Sequence, residues 1–168
     1  MNVVICANLP YYITTPIVLE FLEKAKNIKS MVIMVQEEVA LRLTAKEGTA
    51  DYGAITVAIK IRGESSIIER VGREKFTPIP NVDSAVVKID INREKYKGVD
   101  YKTVRDLVKC AFNNRRKTFV NNLMKSYGFN REKATLLLEN CGIDVNARGE
   151  TFSDKQFVTI SEKIKDLL

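Results

Sequence analysis

Apolar runs and helically spaced apolar residues alternate in the first part of the chain. Residues 3–7 and 31–35 are continuous apolar runs, which are typical of strands buried on both faces of a parallel sheet. Between them Thr15 can cap, and Pro16 can begin, a helix of about 10 residues, and residues 36–43 again have helical spacing. This alternation predicts an open α/β sheet, in which ligands bind beyond the carboxyl ends of the strands.

The middle of the chain extends the predicted sheet. In residues 54–62 the β-branched residues favour a strand and the spacing permits a helix; we predict the helix. Residues 65–71 and 84–91 fit two strands, and the segment from Pro78 to Pro80 between them is too rich in proline for regular structure. We expect the two strands to pair antiparallel at the edge of the sheet.

Helical patterns alone fill the rest of the chain. Residues 92–98 are polar and predict a linker. The following segments have helical spacing, with Ser153 as a cap and Gly128 and Gly142 as stops: 99–113, 116–127, 131–140 and 153–167. The pattern therefore predicts two domains, residues 1–91 and 99–168.

Composition excludes several functional classes. The chain is 45% hydrophobic and 29% charged, as in globular proteins, and it has neither a long apolar stretch nor a signal peptide, so we expect a cytoplasmic protein. Three widely spaced cysteines predict reduced, mostly buried thiols without disulfides or metal. The sequence has no histidine, which argues against hydrolytic chemistry.

Positive charge is concentrated in the second part of the chain. Residues 1–91 carry 11 basic and 11 acidic side chains, whereas residues 92–168 carry 16 and 10. This asymmetry indicates that the second part faces a polyanion, although many proteins are mildly basic without binding one.

The tetrapeptide Asn8-Leu9-Pro10-Tyr11, directly after the first strand, has a chemistry of its own. The exocyclic nitrogen of adenine is a poor nucleophile, because its lone pair is delocalised into the ring. The side-chain oxygen of Asn8 and the carbonyl of Leu9 can accept its two hydrogens, so that the lone pair points at a methyl donor. Pro10 would fix the turn, and Tyr11 would stack on the base. The alternative is a plain turn between strand and helix.

Five ordered segments resemble the adenine dimethyltransferases of small-subunit ribosomal RNA. They are residues 7–16, 35–43, 52–53, 76–87 and 111–118. The resemblance implies the second half of a Rossmann-like methyltransferase sheet, from its fourth strand onward, followed by a small helical RNA-binding domain. It also implies dimethylation of two adjacent adenines with S-adenosylmethionine as cofactor, in rRNA processing and ribosome biogenesis.

The same resemblance assigns partners to the tetrapeptide. Phe76 would stack on the adenine from the face opposite Tyr11, while Asn8 would also touch the methyl donor. Gln36, Glu37 and Arg42 would cap and brace a helix near the site. The family's glycine-rich donor loop has no counterpart here, so we expect most of the cofactor site upstream of this chain, and little activity from these residues alone.

A basic cluster is the expected RNA contact. Its members are Arg105, Lys109, Arg115, Arg116 and Lys117. The plain alternative is a solvated helix face. By the family resemblance the cluster would bind small-subunit rRNA in a pre-30S particle, with the protein as a monomer.

Two other functions remain open at this point. One is a non-catalytic RNA-binding module of the same ancestry that assists ribosome assembly. The other is the same chemistry on another substrate, as in macrolide-resistance rRNA methylases or DNA adenine methylases.

Overall fold

A computed structural model of the chain describes residues 3–168, apart from the side chain of Tyr11. The described residues form two compact units, and each has its own core. The first comprises residues 3–45 and 58–95; the second comprises residues 46–57 and 96–168. The first contains a sheet with helices and the second is built mainly from helices, which confirms the predicted fold class.

Four strands form the sheet of the first unit in the order β1-β2-β4-β3. Their bounds are Val3–Asn8 for β1, Ile28–Gln36 for β2, Gly63–Val71 for β3 and Ser84–Ile91 for β4. β1 and β2 are parallel, and β4 runs antiparallel to both β2 and β3. The predicted β3–β4 pairing is confirmed, but of these two strands only β3 lies at an edge of the sheet, because β4 is paired on both sides.

The register of the strands brings three loops to one edge of the sheet. Asn8 pairs with Met34, while Gln36 and Val71 both pair with Ser84. The carboxyl ends of β1, β2 and β3 therefore lie together, and each is followed by a loop that leaves the sheet there.

β1 is less buried than its sequence predicts. Its residues alternate between half-buried and exposed, and Val4 is 61% exposed. Within the described residues β1 is therefore not buried on both faces as its sequence predicts, because it is the outermost of these strands and is paired on one side only. Cys6, on the same face as Val4, is exposed, so the prediction of mostly buried thiols fails for this cysteine.

Three helices belong wholly or partly to the first unit. They are α1 (Thr14–Lys24), α2 (Glu37–Leu43) and α3 (Ala54–Arg62), and the first residues of α3 are counted with the second unit. α1 begins one residue before the predicted cap Thr15, after a 3-10 turn over Tyr11–Ile13. The Thr14 hydroxyl donates to the Pro10 carbonyl at 3.2 Å, so the chain is already turning when it reaches Thr15.

Residues 92–95 belong to the first unit and are bound to the end of α1. The Arg93 guanidinium donates to the carbonyls of Leu22 and Ala25 at 3.3 and 2.6 Å, which satisfies carbonyl groups at the end of α1. The predicted linker is therefore partly a fixed structural segment.

Four helices form most of the second unit. They are α4 (Tyr101–Asn113), α5 (Phe119–Tyr127), α6 (Arg131–Asn140) and α7 (Asp154–Ile164). Each begins after a residue whose side chain accepts a backbone N–H; these residues are Asp100, Thr118, Asn130 and Ser153. The α5 cap explains why that helix starts three residues later than predicted. Gly128 and Gly142 have φ of 68°, as their roles as stops require.

The core of the second unit is aromatic. Phe119, Phe152 and Phe157 are buried and meet edge to face, with ring centroids 5.1 to 6.4 Å apart. No helix among the described residues is long and apolar enough to cross a membrane.

Residues 46–57 join this core although they lie far away in sequence. The Gly48 N–H donates to the Glu150 carbonyl at 3.1 Å, and the buried Tyr52 hydroxyl donates to the Phe152 carbonyl at 2.7 Å. Burial, together with the carboxylates of Glu47 and Asp154, raises the pKa of Tyr52 well above its usual value, so the phenol remains a donor. The sequence did not suggest this grouping, and the functional domain ranges 1–91 and 99–168 stay a prediction.

Candidate active site and basic surface

The turn after β1 is held by backbone bonds at both ends. The Leu9 N–H donates to the Met34 carbonyl at 3.4 Å, which continues the strand pairing by one residue. The Pro10 carbonyl accepts from the Ile13 N–H at 3.2 Å as well as from Thr14. The turn therefore has a fixed shape and begins at an exposed Asn8.

The two aromatic candidates are described to different extents. The side chain of Tyr11 lies outside the described residues, so its stacking role stays a prediction. Phe76 is half-buried in the loop between β3 and β4, directly after a 3-10 turn. Its loop lies at the same edge of the sheet as Asn8, which is the arrangement that an adenine site would need.

Side chains that the sequence did not single out fix the loop at residues 72–83. The Arg73 N–H donates to the Asp83 carboxylate at 2.9 Å, and the Arg73 guanidinium donates to the Asn81 carbonyl at 3.3 Å. The Asp83 carbonyl accepts the first N–H of α2, from Glu37, at 3.0 Å. The only sequence signal was an aspartate just before a strand, a residue type that often binds backbone N–H groups in turns.

A cavity of about 480 Å³ lies between this loop and the start of α2. It is lined by Gln36, Glu37, Glu38, Leu41, Arg73 and residues 81–83. Gln36 was predicted to cap or brace the helix, but its side chain makes no capping bond. Glu37 instead pairs with Arg70 of β3 at 2.9 Å, and Arg42 pairs with Glu38, which does brace the helix.

The basic candidates fall into two groups. Arg105 and Lys109 are exposed one turn apart on α4, and Arg116 and Lys117 are exposed between α4 and α5. Arg115 is half-buried, and its guanidinium is bound to Glu150 and Ala50 within its own unit. Their assignment as RNA contacts stays a prediction.

No candidate metal centre accompanies these sites. Within residues 3–168, no group of three or more histidine, cysteine or acidic side chains is placed to hold a metal ion.

The described residues of the first unit define an open α/β sheet with candidate site residues at one edge, and comparison with known proteins identifies the family. The family model for ribosomal RNA adenine dimethylase matches residues 1–166. The chain belongs to this family, which confirms the resemblance.

Curated relatives agree with the family model. Proteins named ribosomal RNA small subunit methyltransferase A are 39% identical over 170 residues in Anoxybacillus flavithermus and 39% identical over 168 residues in Clostridium botulinum. The alignments cover 97% and 99% of this chain, but 57% and 61% of those proteins. The chain thus spans about three fifths of the length of these relatives.

Two solved structures share the fold. A dimethyladenosine transferase from Plasmodium falciparum superposes with a TM-score of 0.84 at 22% identity, covering 97% of this chain and 66% of that one. The 23S rRNA methyltransferase ErmE has a TM-score of 0.69 at 25% identity, covering 96% and 65%.

Proposed function

We propose that this chain carries the adenine-binding side of an S-adenosylmethionine-dependent methyltransferase, which dimethylates the exocyclic amino groups of two adjacent adenines in small-subunit rRNA. The observation that carries the proposal is the Asn8-to-Tyr11 turn, which is fixed by its backbone and lies at the carboxyl edge of parallel strands. Family membership supports the same reaction.

The turn offers acceptors for both hydrogens of the amino group. The Asn8 side-chain oxygen and the Leu9 carbonyl would each accept one, and the lone pair of the nitrogen would then leave the plane of the ring. In each transfer the nitrogen would form a bond to the methyl carbon as the bond from that carbon to the donor sulfur breaks, and one proton would leave the nitrogen for solvent. Asn8 and Leu9 lie in a turn that is fixed by backbone bonds, so these acceptors need no rearrangement. The site is therefore organised before the base arrives.

Aromatic side chains would hold the base in place. Phe76 and Tyr11 would lie on opposite faces of the adenine, where stacking contributes about 1–3 kcal/mol per base. Phe76 is half-buried, so one face of its ring can remain accessible to a ligand.

The residues of this chain supply only part of a binding site for the methyl donor. S-adenosylmethionine supplies the methyl group in this class of reaction. Asn8 would contact it, because this side chain is exposed at the end of β1, where ligands of open α/β sheets bind.

The exposed basic side chains would bind the RNA backbone. Arg105, Lys109, Arg116 and Lys117 project from the second unit, whose sequence carries most of the excess positive charge. They would contact phosphates and position the RNA without reading its bases. The natural substrate would be small-subunit rRNA in a pre-30S particle.

Replacing Asn8 tests the reaction. Asn8→Ala removes one acceptor for the amino hydrogens and is expected to lower methyl transfer to small-subunit RNA by at least about 100-fold. The matched control is Asn140→Ala, which removes an exposed amide at the end of α6. Incorporation of labelled methyl groups measures both in the whole protein, because this chain spans only about three fifths of the length of its relatives. If Asn8→Ala stays within threefold of the wild type, Asn8 is not part of the site.

Large-subunit RNA is a second candidate substrate. The shared fold and 25% identity with a 23S rRNA methyltransferase favour it. Offering small- and large-subunit RNA side by side in the same assay decides between them; preferential labelling of large-subunit RNA would overturn the proposed substrate and leave the chemistry intact.

A further inference from the structure

The cavity beside α2 is close to the proposed adenine site. Asn8 pairs with Met34, and Gln36 follows two residues later on the neighbouring strand. Strand spacing and rise per residue then place the Cα atoms of Asn8 and Gln36 about 8 Å apart. The cavity is therefore separated from the tetrapeptide by little more than the width of one strand.

The charged groups of the cavity already have partners. Glu37 pairs with Arg70 at 2.9 Å, Glu38 pairs with Arg42, and the Asp83 carboxylate accepts the Arg73 N–H at 2.9 Å. Their hydrogen-bonding capacity is thus partly used inside the protein.

Two amides supply the polar groups that remain. Gln36 is half-buried and Asn81 is exposed, and within the described residues neither side-chain amide has a hydrogen-bond partner. A side-chain amide carries a donor and an acceptor side by side, which matches the edge of an adenine.

Two apolar side chains also line the cavity. Leu41 is 37% exposed and Val82 is 43% exposed, and both line the cavity. Its volume of about 480 Å³ is within the range of small-molecule sites. Two apolar side chains beside two amides suit a flat, uncharged ring.

We propose that this cavity is a second nucleobase subsite, which holds the adenine adjacent to the one being methylated. The Gln36 amide binds the edge of that base, Asn81 assists at the rim, and Leu41 and Val82 contact its faces. Contacts to flanking nucleotides are a known means by which enzymes that act on bases select their substrates. The proposal rests on the proposed function.

A phosphate fits the cavity less well than a base. Glu37 and Glu38 are paired with Arg70 and Arg42, which leaves the Asp83 carboxylate and the Arg73 guanidinium, so the lining offers an anion no excess of positive charge. The phosphates on either side of the base would remain outside, where Arg73 is exposed.

Binding of small dinucleotides tests the subsite directly. The probes are ApA and the same dinucleotide with its second adenine replaced by purine, which lacks the amino group. The wild type should prefer ApA roughly tenfold, and Gln36→Met, which keeps the length of the side chain but removes the amide, should abolish the preference. Asn140→Ala is the matched control and should retain it.

Methyl transfer provides the second readout. With RNA that contains two adjacent adenines, Gln36→Met should raise KM roughly tenfold and leave kcat within about twofold, because Gln36 positions the neighbour and not the reacting base. Circular dichroism confirms that the variant is folded.

The outcomes separate the subsite from the function on which it rests. If the wild type transfers methyl groups and Gln36→Met has unchanged dinucleotide preference and unchanged KM, the subsite is wrong and the proposed function stands. If the whole protein that contains this chain transfers none to any adenine-containing RNA, the proposed function fails. Even in that case, loss of the ApA preference in Gln36→Met would support a base-binding cavity. Absence of any ApA preference in the wild type would overturn the proposed subsite.

Discussion

Arg115 differs from its basic neighbours in what it contacts. Its guanidinium donates to the Glu150 carboxylate at 2.8 Å and to the Ala50 carbonyl at 3.2 Å, and it lies 5.7 Å from the centre of the Phe112 ring. Arg116 and Lys117, the next two residues, are exposed. In a sequence these three cations look equivalent, because nothing nearby identifies Glu150 as a partner 35 residues away.

Arg115→Ala should therefore reduce the free energy of unfolding more than Arg116→Ala does. Loss of a half-buried ion pair, a charged hydrogen bond and a ring contact is expected to lower the free energy of unfolding by about 1–2 kcal/mol. Arg116→Ala, which has the same change in charge, should stay within about 0.5 kcal/mol of the wild type. Urea denaturation measures both, and equal losses would contradict the distinction.

Regular elements follow their sequence signals closely where the pattern is strong and local. Strand 84–91 and helix 131–140 have the predicted bounds, because alternation and helical spacing end sharply at both sides. The predicted cap Thr15 is wrong, since Thr14 turns the chain first through its bond to Pro10. A pattern of residue types identifies the helix but leaves open which of two adjacent threonines is at its start.

The contrast between a true cap and a false one can be measured. Ser153 accepts the Gln156 N–H at 3.2 Å, and the Gln156 side chain accepts the Ser153 N–H at 3.0 Å. Ser153→Ala should destabilise α7 by about 1 kcal/mol, whereas Thr15→Ala should cost less than about 0.5 kcal/mol. Hydrogen exchange of the Gln156 backbone amide measures the effect of Ser153→Ala locally. Undiminished protection of that amide in the variant would show that the capping box contributes nothing.

The assembly of each unit depends on contacts that no local pattern contains. Residues 46–57 join the helical unit through Gly48 and Tyr52, and the Tyr52 bond to Phe152 spans 100 residues. The edge that collects Asn8 and the Phe76 loop could be predicted, because an α/β sheet places strand ends together. The cavity beside it could not, since it depends on how Arg73 and Asp83 fix one loop to α2.

The charge of the whole chain gives the proposed RNA contacts a quantitative test. If Arg116 and Lys117 each contact one phosphate of a single strand, replacing both with alanine should lower the slope of log K against log salt by about 1.4, since each phosphate contributes about 0.7. Binding should also weaken most at low salt, where fewer cations compete.

The control variant must remove the same number of positive charges at a different position on the second unit. Lys155→Ala with Lys163→Ala removes two exposed charges from α7, so its net charge matches that of the first double variant. A local contact predicts a change in slope for the first pair only, whereas a diffuse attraction between a basic protein and RNA predicts equal, small effects from both. Equal slopes in the two double variants would mean that the positive charge attracts RNA without Arg116 and Lys117 forming its binding site.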